Sequence, residues 1–168
     1  MPRPRILVTR RWPEAVERRL CELFDTTLNT DDQRLSADEL RAALRDFDAV
    51  LPTVSDRLDA SVLSVDAARA RILANYGVGY SHIDIDAARA CGLVVTNTPG
   101  VLTDCTADLA LTLMLMVARR AGEGEREVRA GQWTGWRPTH LVGTQLSGKT
   151  LGTIGMGRIA IAVARRAQ

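Results

Sequence analysis

The sequence predicts an α/β fold, a parallel sheet with crossover helices, and three observations carry that prediction. Short apolar runs alternate with helical patterns from the first residues onward, which is the rhythm of strand-helix-strand units. Capping residues and turn glycines fall at the junctions, where such units start and stop. The 168 residues are 46% hydrophobic and 25% charged, enough to bury a core beneath an ordinary polar exterior.

Taken in order, Ile6 to Thr9 is the first expected strand. Trp12-Pro13-Glu14 opens a helix, with proline in its first turn and an acid beside the positive helix end. Phe24 to Leu28 is a second strand, and Ser36 with Glu39 has capping-box spacing for a helix to about Arg45. Ala49 to Leu51 forms a third strand, closed off by Pro52. Asp59 to Ala68 is expected as a short helix, Arg71 to Asn75 as the fourth strand, Asp84 to Cys91 as a helix ended by Gly92, and Leu93 to Asn97 as the fifth strand. Five strands with four crossovers make a doubly wound, flavodoxin-like lobe of about a hundred residues.

Beyond it, Thr103 and Asp104 are placed as caps of a long helix reaching about Arg120. Its residues from Leu109 to Val117 are apolar on every side, which predicts burial all round. Ala121 to Gly131 reads as an exposed helix, Trp133 to Pro138 as an arm, Thr150 to Ile154 as a sixth strand and Arg158 to Arg166 as a helix. The expected division is a lobe over 1–98, a helix and arm over 99–147, and a strand, glycine turn and helix over 148–168.

Composition removes several classes of function. Basic residues number 22, with Lys149 the single lysine, and they are spread along the chain. With aromatics at 4%, there is no basic stripe with stacking rings for nucleic acid. No apolar run approaches the ~20 residues of a membrane span, and no secretory leader is visible. Cys21, Cys91 and Cys105 lack CxxC spacing and are odd in number, so buried thiols in a reducing cytoplasm are expected. His82 and His140 have no metal partners at ligand spacing.

Two stretches carry chemistry. In the first, Thr150 to Ile154 runs straight into Gly155-Met156-Gly157-Arg158-Ile159-Ala160, the strand-turn-helix context of a dinucleotide fingerprint. Gly155 permits the turn, and Gly157 leaves backbone amides at the helix start open to a pyrophosphate. Ala160 is small enough for helix and strand to pack. A strand-turn-helix without a ligand is the alternative. In the second, Asn75-Tyr76-Gly77-Val78-Gly79-Tyr80 follows the fourth strand at its carboxyl end, where open α/β sheets bind ligands. Gly77 and Gly79 let successive amides point outward, a concavity suited to a small carboxylate. The same glycines also suit a plain turn, and spacing does not decide between the two.

Together with Ile83-Asp84, Val95 to Asp104, Thr106 to Ala110 and the turn at Gly155, this second stretch resembles the D-isomer-specific 2-hydroxyacid dehydrogenases. The arm with Trp133, Trp136, Pro138 and Gly143, leading into Gly148 to Gly152, is similar to the glyoxylate and hydroxypyruvate reductase branch. The resemblance implies a two-lobe, homodimeric enzyme: a substrate lobe and a Rossmann lobe for NAD or NADP, with the active site in the cleft. Carried over residue by residue, Val78 and Gly79 would offer amides to the carboxylate of a small 2-keto or 2-hydroxy acid, with Val54 nearby. Thr106 would approach the cofactor, and Gly155, Met156, Gly157, Arg158 and Ile159 would hold its pyrophosphate.

In that family the substrate-orienting Arg, its Glu partner and the catalytic His lie far past the glycine turn, and this sequence ends eleven residues after Gly157. The chain is therefore expected to be the front portion of such a reductase, with Leu151, Ile154, Ile159 and Val163 short of partners. Very weak NADH binding and no glyoxylate turnover are expected of it alone. The rival reading is a non-catalytic module that binds small carboxylates or dimerises. Relatives acting on phosphite, formate, phosphoglycerate or lactate remain open.

Overall fold

A computed structural model describes residues 2–168. The chain divides into two compact units, one ending at Pro99 and the other spanning Gly100–Gln168.

The first unit is a five-stranded, all-parallel sheet in the order β2-β1-β3-β4-β5. Its strands are β1 (Arg5–Val8), β2 (Asp25–Leu28), β3 (Ala49–Leu51), β4 (Ile72–Ala74) and β5 (Val94–Thr96). This is the flavodoxin-like order. Ala49, Val50 and Leu51 of the central β3 are all buried, while β2 and β5 at the edges are partly open. That contrast is what a sheet covered on both faces imposes on central and outer strands.

Helices α1 (Glu14–Leu23), α2 (Ala37–Asp46), α3 (Ala60–Leu63) and α4 (Ile85–Ala90) make the crossovers. On one side Leu40, Leu44, Leu58, Leu63 and Leu73 are the heart of the larger core, and on the other Ile6, Val8, Ala49 and Leu51 pack with Trp12, Leu20 and Phe24. The capping box of α2 forms as expected: the Glu39 amide donates to Ser36 Oγ at 3.3 Å and the Ser36 amide to Glu39 Oε2 at 2.7 Å. Pro13 is the cap residue of α1, one position earlier than the sequence placed it. The helix expected over Asp59 to Ala68 covers only Ala60–Leu63, with Asp59 as its cap. It stops early because Arg69 and Ala70 both turn their amides to Leu44 O, and Ala67 is left-handed at φ 56°.

In the second unit, α5 (Thr103–Ala118), α6 (Ala121–Arg129) and α7 (Arg158–Arg166) are present. Three expectations fail here. Thr103 and Asp104 do not cap α5; Leu102 occupies the cap position without a side-chain bond, and Asp104 pairs with Arg166 instead. Nor is α5 enclosed, since Ala107 is its only buried residue and Val117 is 79% exposed. Only α7 covers it closely, through Ala162 and Val163 on Ala107, Ala110 and Met114. The sixth strand at Thr150 to Ile154 is absent, because a strand exists only through a hydrogen-bonded neighbour and the described residues of this unit contain none. Leu151, Ile154 and Ile159 are exposed, as the sequence implied, whereas Val163 finds cover against α5. The cysteines are also a correction: all three are free and exposed, Cys21 on a helix with no buried residue, Cys91 at the end of α4 and Cys105 in the first turn of α5.

Candidate functional site

After β1 the chain adds β2 on one side and then crosses to place β3 on the other, so the crevice outside the carboxyl ends of β1 and β3 is the switch point of the sheet, where such folds collect ligands. Asp56, wholly buried, stands there. Its Oδ2 accepts from Thr9 Oγ1 at 2.5 Å and from the Thr53 amide at 2.8 Å, while Oδ1 is buried without a protein partner. Arg10 adds a bond from Nη1 to Ser55 Oγ at 3.0 Å. Its hydrogen bond to Asp32 holds that carboxyl below the usual aspartate range. These contacts fix the loop from which Val54 projects, 64% exposed.

The loop after β4 lies alongside. Tyr76 donates its amide to Pro52 O at 2.8 Å, and its ring meets that of Trp12 at 4.7 Å between centroids. A methyl group added at Gly77 would come 3.2 Å from Val54 Cγ1, so the structure does bring Val54 and the glycine loop together.

Three successive carbonyls of this loop accept hydrogen bonds from the protein. Gly77 O accepts from the Thr98 amide at 3.1 Å and from Asn75 Nδ2 at 3.1 Å. Val78 O accepts from Asn97 Nδ2 at 2.9 Å and Gly79 O from Asn75 Nδ2 at 2.9 Å. The amides of Val78, Gly79 and Tyr80 donate to no protein acceptor among the described residues. Successive N–H groups left free beside carbonyls held by the protein are the raw material of an anion-binding concavity. A methyl at Gly79 would meet nothing within 4 Å.

His82 closes the arrangement through Nε2, 3.0 Å from Asn75 Oδ1. Burial lowers its pKa, and the Asp56 carboxyl opposes that effect. Val54, Ser55, Asp56, Ser81, His82 and Ile83 share a depression of about 560 Å³. The sequence reading assigned no role to Asp56, Asn75 or Asn97. For Asn75 the signal was only its place beside a glycine turn, where asparagine side chains commonly bond nearby backbone, here by donating from Nδ2 to the Gly77 and Gly79 carbonyls.

In the second unit, Gly155 is left-handed at φ 88° and Gly157 is the extended residue before α7. A methyl at Gly157 would meet nothing within 4 Å. No side chain caps α7 and no acid lies in its first turn, so the amides after Met156 and Gly157, through Arg158 and Ile159, begin a helix whose positive end suits an anion. Met156 is exposed. Those features fit a pyrophosphate.

Thr106 donates its hydroxyl to Leu102 O at 2.7 Å, leaving its lone pairs free. Arg166, in the last turn of α7, pairs with Asp104 and Asp108. The start of α5 therefore lies at the far end of α7 from the glycine turn, about 12 Å along the axis at 1.5 Å per residue. The structure does not bring Thr106 to the amides after Gly157. His140 Nε2 lies 2.7 Å from Glu127 Oε2, and no metal-binding cluster of His, Cys, Asp or Glu occurs among the described residues. None of the described helices is long and apolar enough to cross a membrane.

A doubly wound parallel lobe followed by a glycine turn into a helix without a side-chain cap defines the class: an α/β protein. Comparison with known proteins makes the assignment specific. Residues 6–167 match the family model described as D-isomer specific 2-hydroxyacid dehydrogenase, catalytic domain, and the chain belongs to that family. It is 42% identical to a glyoxylate reductase of Thermococcus onnurineus, over 99% of this chain and 51% of that protein. With a glycerate dehydrogenase of Hyphomicrobium methylovorum it shares 39% identity, over 100% of this chain and 52% of that protein. Among solved structures, an NADPH-dependent glyoxylate/hydroxypyruvate reductase from Sinorhizobium meliloti, in complex with NADP and malonate, superimposes with a TM-score of 0.79. The identity is 39%, over 98% of this chain and 50% of that one. The chain spans about half the length of the relatives it matches.

Proposed function

We propose that this chain supplies the substrate-carboxylate site, and the opening of the cofactor site, of an NAD(P)-dependent reductase of glyoxylate or hydroxypyruvate. Residues 1–98 are the substrate lobe, 99–147 a connecting helix and dimerisation arm, and 148–168 the opening of the cofactor domain. The observation that carries the reading is the row of free amides at Val78, Gly79 and Tyr80, in a turn whose Gly77, Val78 and Gly79 carbonyls are held by Thr98, Asn75 and Asn97. Backbone N–H groups grip a carboxylate through both oxygens and need no counter-charge from a side chain. Val54, against Gly77, supplies an apolar wall that favours a short substrate.

When bound, NAD(P) supplies the hydride for the keto carbon. This chain's contribution is to hold the carboxylate at the turn and, at Gly155 to Ile159, to offer amides to the pyrophosphate. Thr106, at the other end of α7, suits a more distant part of an extended dinucleotide. The Sinorhizobium reductase with NADP and malonate supports a nucleotide and a small carboxylate as joint ligands.

Titration of the isotopically labelled chain with glyoxylate, followed by amide NMR, tests the reading. Shifts at Val78, Gly79 and Tyr80 that saturate in the millimolar range are expected, with acetamide, which has no charge, producing none. Saturable shifts that spare these three amides would overturn it.

A further inference from the structure

We propose that His82 is a positioning residue: by donating from Nε2 to Asn75 it locks the Asn75 amide in the orientation that keeps the carbonyls of the Gly77–Tyr80 turn inward and its amides outward. The proposal rests on the reading of that turn as the carboxylate site.

A primary amide has two orientations of nearly the same shape and opposite hydrogen-bond sense. At Asn75 the choice is forced on one side, because Gly77 O and Gly79 O, at 3.1 and 2.9 Å, can only accept. The group facing them is the NH2, which leaves Oδ1 facing His82 Nε2 at 3.0 Å. An oxygen there requires a donor, so His82 carries its proton on Nε2. Were the proton on Nδ1, Nε2 would present a lone pair to Oδ1, and relief would come only from flipping the Asn75 amide. The flip would then set Oδ1 against two carbonyl oxygens and release Gly77 and Gly79.

Tautomer, amide orientation and turn conformation are thus a single coupled choice. Asn75 is only 2% exposed, so its amide relies on these protein partners. Because burial holds His82 toward its neutral form, the placing of its single proton matters near neutral pH. Asp56 is the charged group that bears on the ring, and Arg34, Arg57, Asp59 and Asp84 line the same depression. None of them is hydrogen-bonded to the ring.

Three measurements on the same labelled chain test this. Long-range proton–nitrogen correlation of the His82 ring should show the Nε2–H tautomer at neutral pH; an Nδ1–H ring overturns the proposal without any variant. His82→Leu should speed hydrogen exchange of the Thr98 amide, which is bonded to Gly77 O, and weaken glyoxylate binding by about fivefold to tenfold, the effect of one hydrogen bond. His82→Gln, which keeps a donor for Asn75 Oδ1, should restore both to near the parent values. Unchanged Thr98 exchange in His82→Leu, or a Gln variant no better than Leu, overturns it. If glyoxylate moves no turn amide in the parent chain, the carboxylate reading fails, while the ring tautomer and Thr98 exchange still decide whether the lock exists.

Discussion

Asp56 offers the sharpest test of how the switch point is held. Removing the side chain in Asp56→Ala strands the Thr53 amide, which donates to Oδ2 at 2.8 Å, at a cost of about 1–3 kcal/mol for a donor left without a partner. Thr9 suffers less, because its hydroxyl can turn to Leu51 O, already 3.2 Å away. With the void left by a wholly buried side chain added, the expected loss is about 2–4 kcal/mol. Asp56→Asn should behave differently. Its amide oxygen can take the place of Oδ2 and accept both bonds, and its NH2 replaces Oδ1, an atom that has no protein partner. A loss of about 1 kcal/mol or less is expected. Native-state hydrogen exchange at Val8 and Val50, amides of the central sheet, reports the stability of the first unit by itself. Equal losses for the two variants would refute the argument, since they would show that charge, and not the position of one acceptor, holds the loop.

Two further outcomes follow from the same geometry. Ser36→Ala breaks the capping box of α2 and should cost about 1 kcal/mol in the same exchange measurement, with Ser36→Gly milder. Stability should also fall in two stages on acidification. His82 has a folded pKa below its ordinary 6.5, so below that pH the unfolded chain takes up a proton that the folded one resists. Asp32, Asp48 and Asp59 are held below 3.8 by hydrogen bonds from Arg10, Arg69 and Ser61 respectively, and their contribution disappears only as pH falls through that range. Denaturation at stepped pH checks this, and His82→Gln should remove the upper stage alone.

The sheet was legible because each central strand is a short apolar run and three of the four crossover helices begin with a side-chain cap whose spacing is local. The turn at Asn75 to Tyr80 was legible as a motif for the same reason. What holds the turn was not: Thr9 and Asp56 are 47 residues apart, and Val78 is 19 from Asn97. No periodicity links such pairs. Asp56, between Ser55 and Arg57, has the composition of an exposed loop, and only the parallel register of β1 with β3 carries it inside. The failures at Thr150 to Ile154 and along α5 share another cause. Propensity and apolar content describe what a segment can do once it has a neighbour, and in this unit α7 alone gives α5 a buried contact.

The two glycine motifs, so alike in sequence, differ physically in what stands behind their amides. After Gly157 a nine-residue helix aligns its peptide dipoles, so the positive potential belongs to the whole helix and favours a multiply charged group lying across its end. At Gly77 to Tyr80 no helix begins. The next one, α4, starts at Ile85 and is already capped by the Asp84 carboxyl. The attraction there is confined to a few N–H groups whose direction is set by Asn75, Asn97 and Thr98. Such a site discriminates by geometry more than by charge, because moving any one of those three residues' bonds to the turn redirects an amide. That makes the residues behind the turn, more than those beside the ligand, the place where substitutions should alter which small acid is accepted.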